Sequence, residues 1–193
     1  MRLECRPMTP QTPQPLTFDS LDTSSRDAVA ELFTRTFTAS EGEREGILVG
    51  NLASELAGLI DDQEVMAIGA RQGDALVGCV IFSHLQFEHA SRIFMLSPLA
   101  VRTAFQRQGI GSQLIRHGLE ELQRRSVAVV VTYGDPAFYG KAGFQPIAPG
   151  TIQPPFPLSQ PQGWLGCSLM GEPLPALPGR PTCVRPFRNP AYW

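Results

Sequence analysis

The sequence carries no surplus of positive charge and a single lysine. Its 193 residues hold 16 basic and 18 acidic side chains, a net charge of −2, and all basic residues except Lys141 are arginines. Proteins that bind nucleic acid or anionic lipid through a general electrostatic field have a clear excess of basic residues. We therefore expect neither a nucleic-acid partner nor a membrane partner.

Cysteine and histidine show no pattern of a metal site or a disulfide framework. Cys5, Cys79, Cys167 and Cys183 form no C-x-x-C pair and lie near no histidine cluster. Structural zinc sites need closely spaced Cys or His ligands, and disulfide frameworks belong to small secreted domains. The sequence thus predicts no metal, and reduced cysteines are the simpler interpretation.

Long apolar runs are also missing. No segment approaches the roughly 18 residues of a membrane-spanning helix, and the N-terminal residues lack the apolar core of a secretory signal. We expect a cytoplasmic protein with one main domain. Four prolines in residues 1–15 predict a flexible tail. We assign residues 16–170 to the domain and residues 171–193 to a Pro- and aromatic-rich extension packed on it.

Helical and extended patterns alternate along the chain and predict a mixed α/β fold. After a short first strand come two amphipathic helices separated by the acidic turn "SEGERE", then two strands joined at Gly73-Asp74. The next strand contains Pro98, which cannot donate to a ladder and so indicates a bulge or a parting of neighbouring strands. The chain continues with an amphipathic helix, the apolar strand "VAVVVTY", a short helix started by Pro136 and the strand "WLGCSLM".

Residues 106–122, "QRQGIGSQLIRHGLEEL", place two glycines at the start of an amphipathic helix. Free backbone N–H groups at such a helix N-terminus attract an anion, most often a phosphate. A dinucleotide-binding loop would need a third glycine where Leu114 stands. A Walker A loop would need G-K-[ST], whereas Gly111 is followed by Ser112 and Gln113. Neither signature fits.

The pattern that remains, Q/R-x-x-G-x-G/A, is met by Gln106, Gly109 and Gly111 and resembles the coenzyme A loop of the GNAT N-acetyltransferase superfamily. The order of elements over residues 16–170, with "LSPLAV" and "GDPAFYGKAGF", is similar to a bacterial branch of that superfamily. The resemblance implies a mostly antiparallel sheet with strands 4 and 5 splayed and helices on both faces. It also implies acetyl-CoA, or coenzyme A, as co-substrate, and transfer of a short acyl group to a primary amine of a small-molecule or peptide acceptor.

The same resemblance assigns the cofactor to two segments of this chain. The backbone of Leu99, Ala100 and Val101 would hydrogen-bond the pantetheine arm. The loop that Gln106 opens, also part of the cofactor site, would wrap the pyrophosphate with the N–H groups of Arg107, Gln108, Gly109, Ile110, Gly111 and Ser112. Oriented amides and a helix dipole bind phosphate without a lysine, and Arg102 and Arg107 add positive charge at the rim.

Tyr139 is the predicted catalytic acid, because it precedes Gly143 by four residues in "FYGKAGF", the spacing of the family's proton-donating tyrosine. A purely packing role for its ring is the alternative. Asp135 is expected to cap the short helix at Pro136 rather than to contact the cofactor. Tyr133 either lines the acceptor cleft or packs at the end of a strand.

The sequence does not identify the general base. Glu88 and the acidic-turn residues Glu41, Glu43 and Glu45 are candidates, and a solvated surface position is the alternative for each. His84 and His89 lie near the same strand end as Glu88, where a structural histidine is the alternative. His117 lies off the apolar stripe of its helix and is expected to face solvent.

Two other functions stay open at this stage. A degenerate family member would bind acyl-CoA as a sensor or scaffold and catalyse little, and an intact loop fits that as well. An interaction module built on the C-terminal extension is a weaker alternative. Superfamily members often dimerise, which leaves a homodimer open.

Overall fold

The computed structural model of the protein describes residues 14–61, 63–88 and 92–193. The helices are α1 (Arg26–Glu41), α2 (Glu43–Ala57), α3 (Ile110–Arg124) and α4 (Pro136–Tyr139). The strands are β1 (Leu16–Ser20), β2 (Val65–Gln72), β3 (Ala75–Gln86), β4 (Ile93–Val101), β5 (Val129–Tyr133), β6 (Gln145–Pro146), β7 (Trp164–Ser168) and β8 (Thr182–Cys183). His89 and most of the predicted tail lie outside the described residues.

All these strands belong to one mixed sheet. Their order is β1-β2-β3-β4-β5-β7-β6, and β8 pairs with the far end of β3. The pair β4–β5 is parallel, and the other described pairs are antiparallel. The mostly antiparallel sheet that the sequence predicted is confirmed.

Two hydrophobic layers cover the two faces of the sheet. In β2, Val65 and Ala67 join the layer beneath α1 and α2, whereas Met66 and Ile68 join the layer beneath α3. Successive strand residues point to opposite faces, so a strand of apolar residues serves both layers. This arrangement confirms the expected helices on both faces.

The acidic turn between the first two helices is shorter than the sequence suggested. Glu41 still belongs to α1 and Glu43 opens α2, so Gly42 alone breaks the helical path, with a φ of 98°. Carboxylates are favourable in the first turn of a helix because they face its positive dipole end. The acidic residues therefore extend α2 rather than form a loop, and Glu45 lies within that helix.

The strands β4 and β5 separate at Pro98. Val80 of β3 pairs with Leu99, but Phe82 pairs with Leu96, so β4 has one extra residue in this stretch. The parallel pairing with β5 ends at the same point, at Leu96. Beyond it, the edge of β4 that faces β5 has no strand partner among the described residues, which confirms the predicted splay.

Candidate functional site

A first cleft, of about 440 Å³, lies between α1, the free end of β4 and the start of α3. Nine of the ten residues predicted to hold the cofactor line it: Leu99, Ala100, Val101, Gln106, Arg107, Gly109, Ile110, Gly111 and Ser112. The tenth, Gln108, does not, and its side-chain amide instead donates to the carbonyl of Ala104 at 3.3 Å. The two segments that the sequence assigned separately therefore meet at one cavity.

The glycine loop leads into α3 without a side-chain cap. Gly109 is the residue before α3 and has a φ of 78°, in the left-handed region that favours glycine. No side chain caps α3, which leaves the N–H groups of its first turn without a side-chain acceptor. The Gln106 side chain donates to the Val101 carbonyl at 2.9 Å. Loop and strand are thus joined by the first residue of the motif.

Of the two arginines expected at the rim, only one lines the first cleft. Arg107 does so, in a left-handed conformation with a φ of 60°. Arg102 lines a separate small cavity beside α1, together with Glu31 and Arg35. A short helical turn over Thr103–Phe105 separates the two arginines.

A second cleft, of about 760 Å³, opens on the other side of the gap between β4 and β5. It shares Phe37, Glu41 and Leu99 with the first cleft. Its remaining lining comes from α2, Ser97 and Pro98 of β4, the end of β5 with the residues after it, α4, and segments nearer the C-terminus. The two clefts are therefore neighbours that meet where the strands part.

Tyr139 lies in the second cleft, at the end of α4. Its ring meets those of Phe138 and Phe144 edge to face, with centroids 5.0 and 5.8 Å away. Burial raises the pKa of Tyr139, and a side-chain hydrogen bond with Thr132 opposes that increase. The phenol is consequently protonated at neutral pH, as a proton donor must be.

Gly134 positions the Tyr139 ring, a role that the sequence analysis missed. A Cβ atom on Gly134 would lie 2.6 Å from Cε2 of Tyr139, so any larger residue would push the ring aside. The one available signal was a glycine directly between the end of β5 and the predicted cap.

The two polar residues beside Gly134 have structural partners. The Asp135 carboxylate accepts from the N–H of Ala137 at 2.9 Å, which confirms the predicted cap of α4. The Tyr133 hydroxyl hydrogen-bonds Ser159 Oγ at 2.8 Å and accepts from the N–H of Gln160 at 2.8 Å. Tyr133 also lines the second cleft.

The structure separates the four carboxylates considered as general bases. Glu41 lines both clefts and Glu45 lines the second. Glu43 and Glu88 are exposed and line neither cleft. Of the four, only Glu41 and Glu45 therefore lie near the gap between β4 and β5.

The two described histidines have structural surroundings. His84 Nδ1 lies 3.3 Å from a carboxylate oxygen of Glu64, and its ring tilts against Phe94. The prediction that His117 faces solvent is wrong: the residue is half-buried and stacks on Phe18, with ring centroids 4.6 Å apart. Aromatic contact with β1 replaces solvent there, because an imidazole ring packs well against a phenyl face.

The residues that the structure describes contain neither a metal-binding cluster nor a membrane-spanning helix. No group of three or more His, Cys, Asp or Glu side chains is arranged to hold a metal ion. No helix among residues 14–61, 63–88 and 92–193 is both long and apolar enough to cross a bilayer.

Comparison with protein families and curated proteins identifies close sequence relatives. The model of the acetyltransferase (GNAT) family matches residues 26–144. The uncharacterized N-acetyltransferase YjhQ of Escherichia coli K12 is 29% identical over 176 residues, which span 88% of this chain and 93% of that protein. The uncharacterized N-acetyltransferase YhbS of the same strain is 37% identical over 71 residues, 36% of this chain and 42% of that protein.

Solved structures share the fold. The crystal structure of the Escherichia coli GNAT family N-acetyltransferase YhbS in complex with CoA aligns with a TM-score of 0.76 at 22% identity, over 94% of this chain and 96% of that one. A GNAT family acetyltransferase from Brucella melitensis in complex with acetyl-CoA gives a TM-score of 0.62 at 19% identity, over 88% and 95%. The predicted fold class is confirmed.

Proposed function

Since this chain belongs to the acetyltransferase (GNAT) family, we propose that it binds acetyl-CoA and transfers the acetyl group to a primary amine. The observation that carries the proposal is the meeting of two clefts at the gap between β4 and β5, with Tyr139 beside it. Two structures of the same fold are complexes with CoA and with acetyl-CoA. A cofactor in the first cleft would have its reactive end near an acceptor in the second.

The residues of the first cleft fit the chemistry of coenzyme A. The first turn of α3 offers N–H groups that no side chain caps, as a pyrophosphate requires. The free edge of β4, from Leu99 to Val101, offers backbone groups to an amide-containing arm. Arg107 supplies positive charge at the same cleft. Bound there, acetyl-CoA would supply the thioester that is the acetyl donor.

The transfer requires two proton movements. A new bond forms between the amine nitrogen and the acyl carbon while the carbon–sulfur bond breaks. The acceptor must lose a proton and the departing thiolate must gain one. We propose that Glu41 accepts the proton of the amine, directly or through water, because this carboxylate lines both clefts. Tyr139 would donate the proton that the thiolate gains, since its phenol is protonated and lies beside the gap.

Thr132 is suited to assist the tyrosine. Its hydroxyl donates to the Leu96 carbonyl at 2.9 Å, and the same hydroxyl lowers the pKa of Tyr139. When the phenol gives up its proton, a rotation of the Thr132 hydroxyl would let it donate to the phenolate. Such a hydrogen bond stabilises the charged form.

Thiol release in the presence of a primary amine tests the proposal. Wild type should release free CoA from acetyl-CoA faster when amine is added, and Tyr139→Phe should lower kcat by about 10²-fold or more, the usual contribution of a general acid. Calorimetry should give Tyr139→Phe an acetyl-CoA affinity close to that of wild type. A protein that only senses acyl-CoA would bind equally well, but neither amine nor mutation would alter its rate of thiol release.

A further inference from the structure

We infer that the acceptor is a small primary amine, and that Phe187, Ala191 and Tyr192 set its maximum size. This inference rests on the proposed function, because it assumes that the second cleft receives the acceptor. We call these three residues the C-terminal wall. All three line the second cleft, and all lie beyond residues 26–144, the part of the chain that the family model matches. The cleft is therefore completed by a segment outside the family's shared core.

The C-terminal wall is held in place by buried aromatic side chains. Phe187 is 2% exposed and Trp193 is 7% exposed. Their ring centroids lie 6.0 Å apart, and Trp193 also meets Phe156 at 5.9 Å and Trp164 at 6.3 Å. Clusters of this kind bury large apolar areas and favour a single arrangement. The segment is consequently a fixed part of the cleft.

Hydrogen bonds join the same segment to the end of β5. The Trp193 indole N–H donates to the Phe187 carbonyl at 3.0 Å, and the Trp193 carbonyl accepts from Ser159 N–H at 3.3 Å. Ser159 in turn hydrogen-bonds the hydroxyl of Tyr133 at the end of β5. Between Phe187 and Tyr192, the Asn189 side chain accepts from Ala191 N–H at 3.1 Å. Polar contacts therefore also hold this segment in place.

The lining of the second cleft combines apolar and acidic side chains. Apart from the wall, Phe37, Val49, Leu52 and Pro98 contribute apolar surface, whereas Glu41, Glu45 and Asp135 contribute carboxylates that suit a cationic amine. Neither lysine nor arginine is among the described lining residues, so an anionic acceptor would find no counter-charge there. A volume of about 760 Å³ falls within the roughly 300–1,000 Å³ typical of small-molecule sites. A polypeptide would need additional space for the residues on either side of its amine.

Two substitutions in the wall should shift the size limit in opposite directions. Ala191→Phe adds a ring at an exposed position on the lining and narrows the cleft. Tyr192→Ala removes a half-buried ring and widens it. Tyr192→Phe keeps the ring and should keep the wild-type size preference. Ala176→Phe makes the same chemical change at an exposed position of the C-terminal segment that does not line the cleft.

The test is thiol release from acetyl-CoA with n-alkylamines from ethylamine to octylamine, phenethylamine, and an N-terminally blocked octapeptide with one lysine. Wild type should use small amines and not the peptide. Ala191→Phe should raise KM for the longest accepted amine at least tenfold while leaving ethylamine little changed, and Ala176→Phe should match wild type. Tyr192→Ala should extend the accepted series by at least two carbons.

Three outcomes would overturn the inference while wild type still turns over amines. They are peptide turnover equal to that of the amines, an unchanged size limit in both wall variants, and a shift of that limit in Ala176→Phe. If wild type fails to bind acetyl-CoA, or binds it and turns over no amine, the proposed function itself is wrong. Calorimetry and wild-type turnover together thus separate failure of the proposed function from failure of the inference.

Discussion

The Thr132 hydroxyl donates to the carbonyl of Leu96 at 2.9 Å, at the point where β4 and β5 separate. Leu96 is the last residue of β4 that pairs with β5, and the Thr132 hydroxyl also lowers the pKa of Tyr139 against the effect of burial. One buried hydroxyl thus connects the proposed acid to the gap between the strands.

We expect Thr132→Val to slow transfer. Valine keeps the shape of threonine but removes the hydrogen bond that lowers the pKa of Tyr139, so the phenol becomes a weaker acid. The kcat should fall about tenfold or more, with acetyl-CoA affinity unchanged. Thr132→Ser, which retains the hydroxyl, should recover most of the rate. Equal rates for the valine and serine variants would contradict a role for this hydrogen bond.

The pH profile of the wild type should reflect the burial of Tyr139. Burial raises its pKa, so the phenol remains protonated at neutral pH and loses its proton only at an alkaline pH above that of a free tyrosine. As an acid, it is active below that pKa, and kcat should fall as pH rises through it. Tyr139→Phe should lack this alkaline decline. Retention of the decline in the phenylalanine variant would show that another group causes it.

Gly134→Ala should damage catalysis more than binding. The added Cβ would lie 2.6 Å from the Tyr139 ring and displace it, whereas the first cleft, which Gly134 does not line, would keep its shape. Steady-state kinetics should show a lower kcat, and calorimetry an unchanged acetyl-CoA affinity. Gly140→Ala is the matched control, since a Cβ there meets nothing within 4 Å. Similar kinetics for the two variants would argue against steric positioning of Tyr139.

Gly46→Ala should destabilise the fold. A Cβ at this position would lie 2.8 Å from the Thr34 carbonyl oxygen, where α1 and α2 pack closely. Overpacking usually costs about 1–3 kcal/mol, and it opposes the ~1 kcal/mol that alanine contributes over glycine in a helix. Urea unfolding should therefore show a lower free energy of unfolding than for Gly58→Ala, where the nearest contacts are 3.5 Å away or more. A more stable Gly46→Ala protein would contradict the close packing.

The sequence predicted those parts of the protein that depend on local chemistry. Gly109 precedes a strongly amphipathic helix and Gly111 lies in its first turn, Pro98 interrupts a ladder, and Asp135 stands directly before a proline that starts a helix. Each feature follows from backbone geometry within a few residues. The start of α3, the splay and the cap of α4 were predicted for that reason.

The parts that the sequence missed depend on contacts between distant residues. Nothing local distinguishes Glu41, which lines both clefts, from Glu43, which lines neither. Their difference arises from the direction in which α1 and α2 leave Gly42. His117 lies 99 positions from Phe18, and only the placement of β1 beside α3 brings them together. The C-terminal wall likewise depends on how a proline-rich segment returns to α2.

The most direct test of the central claim is a calorimetric titration with acetyl-CoA. Wild type should bind with micromolar affinity, and Gly109→Trp should lose at least a hundredfold, because its side chain would occupy the loop that offers the N–H groups. Gly150→Trp places the same residue at another exposed glycine with positive φ, away from both clefts, and should bind normally. Absence of binding in wild type, or equal affinity in all three proteins, would contradict the assignment of the first cleft to coenzyme A.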